Sequence, residues 1–307
     1  MKSRKNYFLI IPLAGLALLQ QVSGIVVSAF IGSDTGDFIL FDPVDPTNSS
    51  TYFSIEVSGL PAGGSYNALA YDAGRNRLVF NQVNASSTHQ WWAIEVNGLT
   101  AQTPSVVAMD LGIAPFTGST GIFDAAGYNP SNGKLYVNHP SGTSDEIYTV
   151  NFDASGNVSG YTLEGRIAGE GFPNSASYGD IVFDSQGRMF ASFRNENGVT
   201  VVQELDPDND FSVLKFNNNL DIGTGFLGGL TVDGDDNLYG FQTNADRYYR
   251  IAQDGSLTLT RIGNSEIFNQ FGDMSASFSV PIPEPSASVL LMMGFVSCSG
   301  MRRRRAR

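Results

Sequence analysis

The amino-acid sequence predicts an all-β chain built from repeated four-stranded antiparallel units. Glycine (34), phenylalanine (21) and tyrosine (12) are abundant, while 16% of the 307 residues are charged, a composition that favours strands over helices. Four hairpin-like segments recur along the chain, each with an aspartate or asparagine at the opening of a tight turn. These turn-opening residues are Asp72, Asn129, Asp184 and Asp233, separated by 57, 55 and 49 residues.

Each repeat begins with an apolar strand, a short polar turn and a strand rich in aromatic or β-branched residues, as in "DAAGYNPSNGKLYVNH" from Asp124. A third and a fourth strand follow, for example "EIYTVNF" with "YTLEGRI", and "WWAIEV" with "SVVAMDL". Four-stranded units at this period are typical of a β-propeller. A β-sandwich of similar strand number is the alternative, but it does not require hairpins at regular spacing.

The two ends of the body together predict one further blade. Residues 26–57 supply three strands without an innermost one, and "FIGSDTGDFILFDP" parallels "YGFQTNADRYYRIA" of the fourth repeat. "FGDMSASF" from Phe271 parallels the innermost strand "YGDIVFD" from Tyr178. We therefore predict five four-stranded blades, the last closed by N- and C-terminal strands, which leaves no exposed edge there.

The N-terminus has the layout of a secretory signal peptide over residues 1–24. Basic residues precede an apolar run from Tyr7 to Leu19, and small residues precede a cleavage point at Ile25. A membrane anchor is the alternative, but 13 residues fall short of the roughly 20 that span a bilayer. This pattern predicts export through the Sec translocon.

The C-terminus, residues 281–307, has three parts in order. Pro283, Glu284 and Pro285 come first, an apolar stretch from Ala287 to Met301 follows, and an arginine cluster ends the chain. The cluster consists of Arg302, Arg303, Arg304, Arg305 and Arg307. Fifteen apolar residues form about 22 Å of helix, which is marginal for a hydrocarbon core about 30 Å thick. The arginines favour the cytoplasmic side of a membrane.

This tail resembles the PEP-CTERM sorting signal of Gram-negative bacteria, which the membrane enzyme exosortase processes. The resemblance implies export, a transient stop in the inner membrane as a short transmembrane helix, cleavage near Pro283–Pro285 and release to the cell surface or extracellular matrix. It also implies an association with exopolysaccharide production. Cys298 departs from the usual leucine- and glycine-rich pattern, and an ordinary tail anchor is the alternative.

The body between these ends, residues 25–280, is strongly acidic. Eight of the 18 basic residues lie in the two terminal segments, so 10 basic residues face 29 acidic ones in the remainder. Such a charge disfavours nucleic acid and anionic membranes as stable partners and favours cations. Because Cys298 is the sole cysteine, the body has no disulfide, zinc-thiolate site or cysteine nucleophile.

Candidate ligand-binding residues lie where glycine-rich loops lead into the predicted innermost strands. They are Asn67, Asp124, Asp180 and Asp273. Carboxylates at one mouth of a propeller suit a cation such as calcium, sugar hydroxyls, or acid–base work on a glycosidic bond. The alternative is that these side chains cap strands and accept hydrogen bonds from loop amides.

Other patterns give weaker predictions. "DPDND" at Asp206–Asp210 and "DGDDN" at Asp233–Asn237 alternate acids like calcium loops but lack the glycine and glutamate of that motif, which favours plain turns. His89 and His139 are too few for a zinc site or a catalytic triad. The neighbouring Trp91 and Trp92 point to opposite faces of a strand, so we expect one between blades and one exposed for stacking on a sugar.

The sequence thus favours an exported, non-enzymatic propeller that binds a ligand, with no residue in a catalytic role and no cofactor unless calcium binds. The rival hypothesis is a glycoside hydrolase acting on extracellular polysaccharide through Asp124, Asp180 and Asp273. A third is a purely structural matrix component.

Overall fold

The computed structural model describes residues 24–32, 37–46, 53–62, 64–83, 89–99, 105–116, 123–140, 145–167, 177–194, 199–220, 222, 227–242, 247–264 and 272–281. The predicted signal peptide and sorting tail lie outside these residues, apart from Gly24 and Pro281. The assignments of 1–24, 25–280 and 281–307 to three segments therefore stay predictions.

The described chain begins with three consecutive antiparallel strands and then a complete blade. The first three strands are β1 (Gly24–Gly32), β2 (Phe38–Phe41) and β3 (Phe53–Ser58). Next come β4 (Ser65–Asp72), β5 (Arg77–Val83), β6 (His89–Glu95), a 3₁₀ turn (Val96–Gly98), β7 (Ser105–Val107) and β8 (Met109–Ile113). Strands β4, β5, β6 and β8 pair in this order and form the first blade.

Three further four-stranded meanders follow. The second blade consists of β9 (Ala126–Asn129), β10 (Lys134–Pro140), β11 (Asp145–Phe152) and β12 (Val158–Ile167). The third consists of β13 (Ser177–Phe183), β14 (Met189–Arg194), β15 (Thr200–Asp206) and β16 (Ser212–Leu220). The fourth consists of β17 (Leu227–Val232), β18 (Leu238–Gln242), β19 (Arg247–Ile251) and β20 (Leu259–Asn264).

The fifth blade, called the split blade below, joins both ends of the body as predicted. Its innermost strand β21 (Gly272–Met274) pairs antiparallel with β1. A second C-terminal strand, β22 (Phe278–Pro281), pairs with the first half of β1. The sequence did not predict β22, which doubles the attachment of the C-terminal segment to the N-terminal strand. The chain is therefore a five-bladed β-propeller whose ring is closed by strands from both ends.

One predicted strand is divided between two blades. We expected Ser105–Leu111 to be the fourth strand of the first blade, but Ser105–Val107 instead pairs in parallel with β3 of the split blade. The chain then returns, and Met109–Ile113 pairs with β6. The prediction was wrong because a run of alternating apolar residues does not specify its pairing partner. The crossing covers the outer edge of β3.

The apolar cores lie between neighbouring blades. Five clusters of buried side chains are present among the described residues, one at each junction of the ring. At the junction of the fourth and split blades, for example, Phe30 packs edge-on against Phe241 with ring centroids 5.4 Å apart. Each blade buries aromatic side chains of this kind against the blade on either side of it. Closure of the propeller therefore completes the last core.

The repeated turn-opening residues have a structural role. Asp184 accepts backbone hydrogen bonds from Gln186 (3.0 Å) and Arg188 (2.9 Å), and it forms an ion pair with the Arg188 side chain. Asp233 likewise accepts from Asp235 and Asn237, both at 2.9 Å. These are Asx-type turns, in which the carboxylate replaces missing backbone partners. We call the end of the ring bearing these turns the hairpin face, and the opposite end, where the innermost strands begin, the loop face.

Candidate functional site

Asp180, a predicted ligand-binding residue, is fully buried beside a bulge in β13. One carboxylate oxygen accepts a hydrogen bond from the backbone N–H of Ile181, and the other accepts one from Leu230, both at 2.7 Å. Leu230 belongs to the innermost strand of the fourth blade, so this carboxylate joins two blades. The neighbouring Gly179 is required at the bulge, because a Cβ there would overlap the carbonyl oxygen of Leu227.

Asp273 repeats this arrangement in the split blade and is also fully buried. Its carboxylate accepts hydrogen bonds from the backbone N–H groups of Met274 (2.9 Å) and Leu69 (2.8 Å). Leu69 lies in the innermost strand of the first blade. Each of these aspartates therefore supplies acceptors to the backbone of the following blade, as the capping alternative expected.

The side chains of Asp180 and Asp273 also interact with each other. Burial raises the pKa of Asp180 well above its usual range, and the adjacent charge of Asp273 raises it further. Burial raises the pKa of Asp273 to about 7, although hydrogen bonds from Asp180 and from backbone amides act in the opposite direction. Two buried carboxyl groups in contact cannot both ionise cheaply, so the pair retains a proton near neutral pH.

Asp124 has a different neighbour, Asp145 at the start of β11. Part of Asp124 is exposed, yet its carboxyl group is enclosed enough for burial to raise its pKa to about 7. Asp145 is 2% exposed, and burial together with the charge of Asp124 raises its pKa to about 8. Asn138 connects the two positions, because it donates to Asp145 (3.2 Å) and accepts from the backbone N–H of Ala125 (2.7 Å).

Asn67 lies in β4 on the loop-face side of the same innermost layer and is half-buried. The register of β4 on β5 shifts between Asn67 and Ala70, and Ala68 has a positive φ of 56°. The structure thus brings Asp180 and Asp273 together and pairs Asp124 with Asp145. Sequence reasoning missed Asp145, since the carboxylate opens a third-layer strand that carries no repeat signature.

The two histidines are buried in an aromatic cluster between the first and second blades. The His89 ring lies 4.2 Å from that of Phe123, and the His139 ring lies 4.9 Å from that of Phe116. Burial, together with the nearby His139, lowers the pKa of His89 to about 4. His89 is therefore neutral near pH 7. Among the described residues, no group of three or more His, Cys, Asp or Glu side chains is arranged to hold a metal ion.

The prediction that Trp91 and Trp92 face opposite sides of their strand was correct, but the prediction that one of them is exposed was wrong. Trp91 packs in the core between the first and second blades, and Trp92 packs in the core between the first and split blades. They are 0% and 6% exposed, so neither ring is available for stacking on a sugar. The indole N–H of Trp91 donates to the hydroxyl of Tyr161 at 2.8 Å. Blades on both sides of a strand bury both of its faces, which the neighbouring sequence alone does not reveal.

Two cavities lie among the described residues of the hairpin face. A central one of about 210 Å³ lies where the innermost strands end; its lining includes Tyr71, Tyr128, Phe183, Asp233, Asp236 and Ala276. A larger one of about 600 Å³ involves the third and fourth blades; its lining includes Arg188, Asn237, Arg250, Gln253, Asp254 and Thr260. The two arginines, Arg188 and Arg250, are not recognisable as neighbours in the sequence, because they are 62 residues apart and belong to different blades.

The predicted calcium-like loops form turns. Asp206 and Ser212 pair at the base of the β15–β16 hairpin, and the Asp206 carboxylate accepts a hydrogen bond from the backbone N–H of Asp208 at 3.1 Å. In the part of the chain that the structure describes, no helix is long and apolar enough to cross a membrane. The predicted tail helix lies outside that part.

The comparisons with known proteins find solved structures whose fold is similar to that of this chain. No protein-family model matches the chain, and no curated protein matches it. Among solved structures, a putative 6-phosphogluconolactonase from Bacteroides uniformis is 14% identical, with a TM-score of 0.43, over 79% of this chain and 69% of that chain. A periplasmic gluconolactonase from Pseudomonas aeruginosa is 11% identical, with a TM-score of 0.42, over 78% and 68%. TolB from Acinetobacter baumannii is 12% identical, with a TM-score of 0.45, over 81% and 55%.

Proposed function

We propose that the chain is an exported, non-enzymatic β-propeller that binds a ligand at the cell surface or in the extracellular matrix of a Gram-negative bacterium. In this proposal the Sec translocon exports it, exosortase processes the tail after a transient stop in the inner membrane, and the propeller body then acts outside the cell. The proposal combines the sorting-signal resemblance of residues 281–307 with the chemistry of the body.

The hydrogen bonds of Asp180 and Asp273 support the part of the proposal that the protein is not an enzyme. Both oxygens of Asp180 and both of Asp273 accept backbone hydrogen bonds, and both side chains are fully buried. A glycoside hydrolase needs two carboxyl groups that flank a bound substrate and exchange protons with it. Carboxyl groups that are hydrogen-bonded to the backbone and enclosed by protein stabilise the ring instead.

A glycan array with the secreted protein tests the binding function. We expect saturable binding to at least one extracellular polysaccharide and no release of reducing sugar from it. An array without any bound glycan would favour the structural matrix component, and turnover would favour the hydrolase.

The hydrolase remains a second candidate because of Asp124. This residue is partly exposed, and its pKa of about 7 leaves a fraction of it protonated near neutral pH, as a general acid requires. If the protein is a hydrolase, Asp124→Asn should abolish turnover without loss of folding. Hydrolysis that survives this change would remove Asp124 from the reaction.

A further inference from the structure

The larger cavity on the hairpin face involves the turn of β13–β14 in the third blade and the strands of the fourth. Its volume of about 600 Å³ is within the usual range for small-molecule sites. The lining contains two guanidinium groups, those of Arg188 and Arg250, in a body that otherwise carries a large excess of acids. This local reversal of charge distinguishes the cavity from the central one, whose lining carries Asp184, Asp233 and Asp236.

Arg188 is held in place through one edge of its guanidinium group. Its Nε donates to Asp184 at 2.5 Å, and the guanidinium carbon lies 5.5 Å from the centre of the Phe190 ring. No described residue accepts a hydrogen bond from its two terminal nitrogens. The ion pair and the ring thus orient the group, while the outer edge keeps its donors for another acceptor.

Arg250 supplies further donors. One terminal nitrogen of Arg250 donates to the amide oxygen of Asn237 at 2.6 Å, and no carboxylate of the described residues pairs with this arginine. The side-chain nitrogen of Gln253 is buried without an acceptor in the described part of the chain. Because this nitrogen is buried, the donors that a ligand in the cavity can reach are those of the two arginines.

The acid in the lining, Asp254, forms no ion pair with either arginine in the described part of the chain. The carboxylate of Asp254 accepts from the backbone N–H (3.1 Å) and the hydroxyl (2.7 Å) of Ser256 in its own turn. By contrast, several basic side chains of the described residues are paired with carboxylates, among them Lys134 with Glu164 at 2.8 Å and Lys215 with Glu204 at 2.6 Å. Arg250 has no such partner among the described residues, so its guanidinium group can pair with a bound anion.

We propose that this cavity binds the oxyanion group of an acidic saccharide, which is a carboxylate or a sulfate ester. That the ligand is a saccharide rests on the proposed binding function. That it carries an anionic group rests on the lining of the cavity. Guanidinium groups match oxyanions through paired hydrogen bonds. The acidic surroundings select a ligand with few charges over a long polyanion, because the rest of the surface repels it.

Isothermal titration of the full secreted protein at low ionic strength tests this proposal. The probes are trigalacturonate, its neutral methyl ester, a sulfated trisaccharide and sodium sulfate. We expect trigalacturonate or the sulfated trisaccharide to bind saturably, and the methyl ester to bind at least about tenfold more weakly. Arg250→Gln should weaken binding of the acidic probe at least about tenfold, since Arg250 is exposed and its loss leaves the core intact.

The matched control is Arg166→Gln, which removes the same charge from an exposed arginine of the second blade. It should leave the affinity within about twofold, as a surface charge distant from the site acts weakly. The proposal is overturned if neither acidic trisaccharide binds, if Arg250→Gln has no effect, or if sodium sulfate alone binds. Glycan-array binding that is insensitive to Arg250→Gln would overturn the cavity assignment and leave the proposed binding function standing. An array without any bound glycan would overturn the latter.

Discussion

Replacement of Asp145 by asparagine should make the propeller less sensitive to alkaline pH. In the folded protein, burial raises the pKa of Asp145 to about 8, whereas the pKa of an aspartate in the unfolded chain is about 3.9. The folded state therefore binds more protons between these two values, and stability falls as the pH rises through them. An asparagine cannot ionise, and its amide oxygen keeps an acceptor for Asn138.

The size of the effect follows from linkage. A carboxyl group with folded and unfolded pKa values of about 8 and 3.9 contributes about 4 kcal/mol of stability at pH 5 and about 0.4 kcal/mol at pH 8. The wild-type protein should thus lose about 3 to 4 kcal/mol through this group alone between the two pH values. That is a large part of a total stability of roughly 5–15 kcal/mol.

Urea denaturation at pH 5, 6.5 and 8 measures this dependence. Asp145→Asn should match the wild type at pH 5 within about 1 kcal/mol and exceed it at pH 8 by about 3 kcal/mol. The control Asp208→Asn removes an exposed carboxylate from the β15–β16 turn and should follow the wild-type profile. If Asp145→Asn also follows it to within about 0.5 kcal/mol, the assignment of a buried, protonated Asp145 is wrong.

Three further predictions concern the ring, the ends and calcium. Gly179→Ala should destabilise the protein by about 3 kcal/mol in urea denaturation, while Gly234→Ala, whose Cβ meets no atom within 4 Å, should change stability by less than about 0.5 kcal/mol. Intact mass of secreted protein should begin near Ile25 and end near Pro283–Pro285, and retention of the terminal arginines would contradict sorting. If calcium binds at Asp124 as the sequence predicts, it should raise the melting temperature and Asp124→Asn should reduce that shift; no shift in the wild type would contradict the predicted calcium site.

The sequence predicted those parts of the fold that local chemistry specifies. Asp184 and Asp233 open turns because their carboxylates replace backbone partners two and four residues ahead, and this short-range need is visible as a repeat. The split blade was predictable for a related reason, since the segment around Asp273 copies the pattern around Asp180. By contrast, β7 and β22 pair with strands far away in the chain, and nothing within their own few residues selects these partners.

The positions of the candidate residues in the fold were predictable from the sequence, whereas their ligand-binding role stays a prediction. Sequence reasoning placed Asp124, Asp180 and Asp273 at the entrances to innermost strands. The structure has Asp124 two residues before β9, Asp180 within β13 and Asp273 within β21. It did not decide whether their carboxylates face solvent or the next blade, because that depends on how closely two sheets approach. Gly179 is the residue that permits the close approach, and its role appears once Leu227 is placed against it.

Closure of the ring and processing of the ends are compatible in this chain. The body lacks cysteine, so the strands contributed by both ends, β1, β21 and β22, form the closure. Strand β22 ends at Pro281, two residues before the proposed sorting motif begins at Pro283. Cleavage at the motif would leave every described strand intact, and cleavage before Ile25 would remove a single residue, Gly24, from β1. The proposed release from the membrane therefore need not open the propeller, as a protein that functions after such sorting would require.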